Sequence, residues 1–336
     1  MKKFRILYIC LLFIIVCKQP VRYQPYTESK FLMDTYVRIS VYDKNKDNSM
    51  IKAVLDSAFF LMDQLEKKLS VHYKGSDIYT INQWADQKYV KISEPVSDCL
   101  HKCQEISRLT SGDFDISIGV IKQYWCFNPD SAFIPDSLFI KRLLDKVNYK
   151  KIILKNRTVH FAEPDMKIDL GGAAKGYIID KAMQVLKEAG IDSVIIEGGG
   201  DFLISGDHPG RHKWRIGVRH PRKQGMKIAA IVQTGPSGFA TSGDYERFFF
   251  KDGLRYHHLL DPETGFPAPK NISVTIIAET AFMADALATA VFIMGPNAGI
   301  DFIEEHESIE GFIIYKNNEN EISYKISQGF IGKINL

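Results

Sequence analysis

Apolar positions along the 336-residue chain follow two periods. From Tyr36 to Val41 they alternate, as in a strand with one buried face. Over Ile51 to Leu69 the positions Val54, Leu55, Ala58, Phe59, Leu61, Met62 and Leu65 recur at the spacing of an amphipathic helix. The same spacing predicts helices over 97–110, ended near Gly112, over 136–146, over 174–189, stopped by Gly190, and over about 279–294. Strands are predicted at 192–197, 201–205, 213–219, 228–234, 247–251, 256–260 and 272–278, with a short hairpin over 151–161. Many of these strands follow one another with no helix between them. The fold class is therefore α+β, with a largely antiparallel sheet and packed helices.

The first residues change the picture. Lys2, Lys3 and Arg5 precede an uncharged, mainly apolar run from Ile6 to Val16, which is shorter than the roughly 17–25 residues of a spanning helix. This is the pattern of a signal peptide. Cys17 follows where a bacterial lipoprotein carries its lipidated cysteine, although Val16 stands where Gly or Ala is usual. The organisation expected is a leader over 1–17, a polar tether over 18–30 with two prolines, and one functional domain over 31–336.

Composition, at 45% hydrophobic and 25% charged, is that of a globular protein. The net charge of +3 belongs to the leader, because residues 1–16 hold three Lys/Arg and no acid, leaving 40 basic against 40 acidic residues. A balanced surface gives no electrostatic reason to expect nucleic acid as a partner. Beyond the leader, Cys99, Cys103 and Cys126 are odd in number and argue against a disulfide framework. Cys99 and Cys103, four apart on a predicted helix, read as small core residues rather than metal ligands.

Five clusters carry candidate chemistry. Asp169-Leu-Gly-Gly-Ala-Ala-Lys175-Gly176 joins a strand to a helix through small residues, a turn that leaves backbone amides for a phosphate, or is a plain tight turn. Glu197-Gly-Gly-Gly-Asp201 lies between two strands and is read equally well as close approach to a ligand or as a hairpin turn. Ala240 to Glu246 is small and polar between strands. His257-His258-Leu-Leu-Asp261-Pro-Glu-Thr-Gly265 ends a strand in strong turn chemistry. In the alanine-rich helix after 279, Asp285 and Thr289 share one face, where a carboxylate is costly unless satisfied. Two oxygen ligands completed by waters and phosphates suit Mg2+.

In this order and at these separations, the clusters resemble the ApbE family of FAD:protein FMN transferases. The similarity spans about residues 31–330. It also takes in Met33-Asp34-Thr35, where the family usually shows Met-Gly-Thr, the Leu69-Ser70 segment leading to Ser76 and Asn82, and Gly112 to Ser117. What the resemblance implies is a T-fold-related architecture and an Mg2+-dependent enzyme that moves FMN from FAD to a Ser or Thr hydroxyl, releasing AMP. Asp285, Thr289 and a carbonyl of the loop at Gly172 would hold Mg2+. Lys175 and the glycine loops, with Gly199, Gly200, Asp201, Ser242, Gly243 and Asp244, would surround FAD, as would Met33 and Asp115. His258 is the first choice of general base and His257 the second. Glu197, where Asn is common, and Asp34, where Gly is usual, depart from the pattern.

The family's acceptor motif is absent, so the flavin would go to a different protein, modified in trans. The enzyme would sit as a lipoprotein on the periplasmic face of the inner membrane. Two alternatives stay open: hydrolysis of FAD to FMN and AMP, and passive storage of FAD by a periplasmic lipoprotein.

Overall fold

A computed structural model describes residues 24–43, 46–209, 213–223, 228–330 and 334–335. The leader, Cys17 and the start of the tether lie outside these residues. In chain order the elements are β1 (Tyr26–Leu32), β2 (Thr35–Val41), α1 (Asn48–Leu69), α2 (Asp77–Trp84), β3 (Val90–Lys91), α3 (Glu94–Leu109), α4 (Gly119–Lys122) and α5 (Ser137–Leu143). There follow β4 (Ile152–Lys155), β5 (Thr158–Phe161), α6 (Ala174–Glu188), β6 (Val194–Gly198), β7 (Asp201–Ser205), β8 (Trp214–Arg219), β9 (Ile228–Thr234) and β10 (Ser237–Gly243). The remainder is β11 (Phe248–Lys251), β12 (Leu254–His257), β13 (Asn271–Ala278), α7 (Ala281–Met294), α8 (Pro296–Glu304), β14 (Glu310–Lys316), β15 (Ile322–Ile326) and β16 (Ile334–Asn335).

Eight strands form one sheet in the order β1-β2-β6-β7-β10-β13-β14-β15, and every neighbouring pair in it is antiparallel. The expected class is the observed one. Several boundaries differ: the strand expected over 256–260 is Leu254–His257, the helix expected over 97–110 is Glu94–Leu109, and α2, α8, β14 and β15 have no counterpart among the expected elements. β1 starts at Tyr26, inside the stretch read as tether; it is an edge strand whose exposed Thr27, Ser29 and Lys30 give it the polar look of a linker. The small, polar segment read as a loop from Ala240 belongs to β10, a central strand. Gly238 explains that composition: a Cβ there would lie 2.4 Å from the carbonyl carbon of Thr280, so only glycine lets the start of α7 rest on the strand.

Helices cover one face of this sheet. Val37, Ile39, Ile196, Val274 and Ile276 meet α1, α3, α6 and α7 in the main core, where Cys99 and Cys103 are also buried. On the other face β8 and β9 pack through Trp214, Ile216 and Val232 against Phe239, Ile277 and Phe312. β13 is therefore buried along its whole length. A third cluster, with Ile121, Trp125, Phe249 and Leu260, joins α4 and α5 to the β11–β12 hairpin.

Register brings the functional loops to one end of the sheet. Residues Met33 and Asp34 form a two-residue turn with φ of 55° and 58°, and Gly199 and Gly200 form another with φ of 60° and 93°. Both are the positive-φ geometry of a tight antiparallel hairpin. Because Val37 lies opposite Gly198, the two turns are neighbours. β10 runs past the first residue of β7, since Phe239 is already opposite Phe202, and it delivers Thr241 to Gly243 to the same end.

Candidate active site

The start of α6 and the middle of α7 are fastened to each other. Asp285 Oδ2 accepts the N–H of Gly176 at 3.0 Å. In the other direction the carboxylate of Asp180, on α6, accepts the N–H groups of Ala281 and Phe282 at 2.8 and 3.0 Å, capping α7. Contact is close enough that a Cβ on Gly176 would fall 2.3 Å from the carbonyl oxygen of Ala281. Each helix end thus receives a carboxylate from the other helix. Burial pushes the Asp180 carboxyl up to about 6, against the two amide bonds, which hold it down.

This fastening corrects one expectation. The turn at 169–176 does not present a row of free amides. Ala173 and Ala174 donate to the Leu170 carbonyl, Gly171 donates to Asp169 Oδ1, and Gly176 donates to Asp285. What the turn presents instead is charge. Lys175 forms an ion pair with the buried Asp201 at the start of β7. Burial disfavours the Lys175 ammonium, but Asp201 and Asp285 outweigh it and hold its pKa above the usual lysine range. For Asp201, burial and then the neighbouring Asp285 raise the carboxyl, and Lys175 only partly offsets them. Two buried carboxylates share one ammonium, so the pocket is short of positive charge.

The oxygen atoms around this deficit suit a hard cation. Asp285 Oδ1 takes no hydrogen bond among the described residues. Thr289, one turn further along α7, has its hydroxyl 3.4 Å from that of Ser242. Gly172 lies directly against it, a Cβ there coming within 3.1 Å of Thr289 Oγ1. Asp285, Thr289, Ser242 and the main chain at Gly172 are all oxygen donors. Among the described residues no group of three or more His, Cys, Asp or Glu side chains could hold a metal; a hard cation held by a few protein oxygens takes the rest of its shell from waters and phosphates.

The two histidines have different surroundings. His257 is buried; its Nδ1 accepts the N–H of Leu259 at 3.3 Å, so its Nε2–H donates to the Ala268 carbonyl at 3.0 Å. Its ring stands edge-on to Phe292 of α7 at 5.4 Å. With both ring nitrogens occupied, His257 is a strut between β12 and α7, and the geometry does not favour it as the base. His258 is fastened only through its main chain, its N–H donating to the Arg247 carbonyl at 3.1 Å, and its buried Nδ1 has no hydrogen-bond partner among the described residues. Burial, followed by the charge of Lys122, the neighbouring His257 ring and the charge of Arg247, pushes its pKa down to about 3, while burial pushes His257 down to about 4. Near neutral pH the His258 imidazole is uncharged and able to accept a proton.

Other expected residues are placed differently. Asp115 is buried and accepts from Ser117 N, Ser117 Oγ and Tyr149 N at 2.6–2.8 Å, so it organises a turn and has little left for a ligand. Asp244 is buried and held by the guanidinium fork of Arg222, with Arg255 3.8 Å away. Gly199 and Gly200 are required by their turn, while Gly243, next to Ser242, ends β10. Glu197 pairs across the strands with Arg38 on the sheet face away from the helices. A recess of about 460 Å³ on that face, lined by Arg38, Glu197 and Arg215, does not include Asp285, Thr289 or His258. A recess of about 310 Å³ does adjoin Met33 and Asp34, reaching Ser70 and Tyr73. Ser76 and Asn82 are structural: Ser76 caps α2, and Asn82 bonds the main chain of Ile168 in both directions at 2.8 and 2.9 Å.

Sequence reasoning missed Asp180, Arg247 and Lys122. Lys122 Nζ lies 2.5 Å from Asp169 Oδ1; burial raises the Asp169 carboxyl, but the charge and hydrogen bond of Lys122 and the Gly171 amide together outweigh it and lower the pKa. Lys122 follows an apolar run with no motif around it, so nothing local marks it. Its partner is 47 residues away.

The all-antiparallel eight-stranded sheet with helices on one face, and the oxygen atoms of Asp285, Thr289 and Ser242 gathered where α6 meets α7, define the class as an α+β protein. Residues 33–313 match the ApbE family, and the chain belongs to it. A relative from Treponema pallidum (strain Nichols), named FAD:protein FMN transferase, is 30% identical and is matched over 95% of this chain and 91% of its own. One of the same name from Klebsiella pneumoniae (strain 342) is 28% identical over 88% and 90%. The crystal structure of the ApbE protein of Thermotoga maritima superposes with a TM-score of 0.82 at 33% identity, covering 92% of this chain and 99% of that one. A flavin transferase ApbE from Vibrio cholerae, at 24% identity and a TM-score of 0.81, shares the fold.

Proposed function

We propose that this protein is an FAD:protein FMN transferase acting on another protein. The observation that carries this reading is the meeting of Asp285, Thr289, Ser242 and Gly172 beside the Lys175–Asp201 pair, with the His257–His258 hairpin held against the same helix through Phe292. In the proposed reaction the Ser or Thr hydroxyl oxygen of the acceptor bonds to the FMN-side phosphorus of FAD. The bond from that phosphorus to the bridging oxygen breaks, and AMP leaves with the electron pair.

His258 accepts the hydroxyl proton and passes it to solvent or to AMP. A base is required in its neutral form, and burial first, then the cations around His258, keep it so. An incoming diphosphate offsets those charges and raises its basicity as the substrate binds. Lys175 holds the diphosphate from the α6 side. Asp285, Thr289, Ser242 and the Gly172 carbonyl would hold Mg2+, which when bound supplies neutralisation of the diphosphate and the departing AMP.

By the same reading the leader directs export, and Cys17 carries lipid that anchors the protein on the periplasmic side of the membrane. No helix among the described residues is long and apolar enough to cross a membrane.

Incubation with FAD, Mg2+ and an acceptor domain, followed by mass spectrometry of the acceptor, tests the reaction. The expected result is an acceptor heavier by one FMN, with AMP released in equal amount. FMN and AMP formed without any adduct would make the protein a hydrolase. Bound FAD with no turnover would make it a carrier.

A further inference from the structure

Arg247 bridges two hairpins. Its carbonyl holds His258 in place, while its guanidinium reaches the turn between β1 and β2, where Nη2 lies 3.2 Å from Asp34 Oδ2. The contact therefore runs from the hairpin that bears the base to the turn that bears Met33. It is a loose one: a single bond between side chains 63% and 78% exposed. Arg222 and Arg255, by contrast, are largely buried against Asp244. Among the described residues Arg247 has no other ion-pair partner. The exposed guanidinium of the residue whose carbonyl holds His258 is thus held by one carboxylate that contributes little to folding.

We propose that Arg247 is a diphosphate-binding residue of the flavin-nucleotide site, and that Asp34 holds its guanidinium in the free protein, so that substrate and Asp34 compete for one cation. The inference rests on the flavin-transferase reading and adds to it a residue that sets affinity. A guanidinium fork binds phosphate oxygens in a bidentate manner, so a diphosphate offers Arg247 two charge-assisted bonds in place of one exposed contact. Asp34 loses its partner to solvent when the nucleotide enters. Its carboxylate then acts as an intrinsic competitor that weakens FAD binding.

Titration of FAD by flavin fluorescence, without acceptor, tests this in a double-mutant cycle of Asp34→Asn, Arg247→Gln and both together. Asparagine tolerates the left-handed backbone of position 34, so the turn is kept. Arg247→Gln is expected to weaken FAD binding about 10-fold or more. Asp34→Asn should tighten it about 2- to 5-fold, the size of an exposed ion pair. That gain should shrink in high salt and vanish in the Arg247→Gln background. FMN, which lacks the diphosphate, should show a smaller loss with Arg247→Gln than FAD does. Unchanged binding by Arg247→Gln, or tightening by Asp34→Asn that persists without Arg247, would overturn the proposal while leaving the transferase reading intact. A wild-type protein that binds no FAD would overturn both.

Discussion

The α6–α7 junction and the rim formed by the β1–β2 turn and the β11–β12 hairpin are held by opposite means. At the junction Asp285 is buried and Asp180 part-buried, and they satisfy one and two amides at the start of the other helix. At the rim the partners are exposed, and Asp34 meets Arg247 through one bond. A carboxylate oxygen that holds a main-chain amide, as at the junction, cannot move without leaving that amide unsatisfied, at a cost of about 1–3 kcal/mol each. Exposed pairs exchange with water at almost no cost. The contrast suits the proposed chemistry, in which the phosphate end must be preorganised while the mouth admits a nucleotide and then another protein.

Replacing Asp285 breaks the comparison at its rigid half and should have the largest effect. Asp285→Asn keeps an oxygen for the Gly176 N–H, so the melting temperature should stay near that of the wild type while Mg2+-dependent turnover falls below detection. Asp285→Ala should lose stability as well, by about 1–3 kcal/mol. Thr289→Ala should be milder in turnover. Wild-type rates for Asp285→Asn at sub-millimolar Mg2+ would remove Asp285 from the metal site.

The two histidines separate strut from base. His258→Ala should slow single-turnover flavin transfer at saturating FAD by about 10²–10⁴-fold, with FAD binding retained. His257→Ala should instead lose about 1–3 kcal/mol of stability, because the Ala268 carbonyl and the Leu259 amide lose their partner, and keep most of its rate below its own melting range. The reverse pattern would reassign the base to His257.

Asp180 sharpens the comparison through pH. Its folded-state pKa of about 6 lies above the ordinary 3.8, so the folded protein binds this proton more tightly than the unfolded chain does. The stability it contributes is complete below 3.8 and is lost as pH rises through about 6. Urea titrations of wild type and Asp180→Asn should therefore show the wild type losing ground to the variant between these values, by on the order of 1–3 kcal/mol. A difference that does not change with pH would mean that the carboxylate is not held against burial.

Cys17→Ser should leave the catalytic rate of the isolated protein unchanged, the smallest effect of the series. In cells it should release soluble protein or leave an uncleaved precursor. Native protein found in the cytoplasm with Met1 intact would rule out export.

Much of the molecule is legible in the chain itself. Alternation at Tyr36 to Val41, helical spacing over Ile51 to Leu69 and consecutive strands after Gly190 are local patterns, and local periodicity alone determines which face of an element is buried. The pairing of Asp285 with Thr289 is equally local, since positions four apart share a helical face. What the sequence could not show depends on residues far apart along the chain. β10 looks like a loop because its small residues answer to the start of α7 packed upon it, a contact made by Thr280 and Ala281. The amides at the start of α6 seem available until Asp285, 109 positions away, takes one of them. His257 and His258 are adjacent and chemically identical in sequence. Only the packing of the former against Ala268 and Phe292 separates the strut from the residue left free to take a proton, because the role of a side chain is set by which hydrogen bonds its surroundings have already filled.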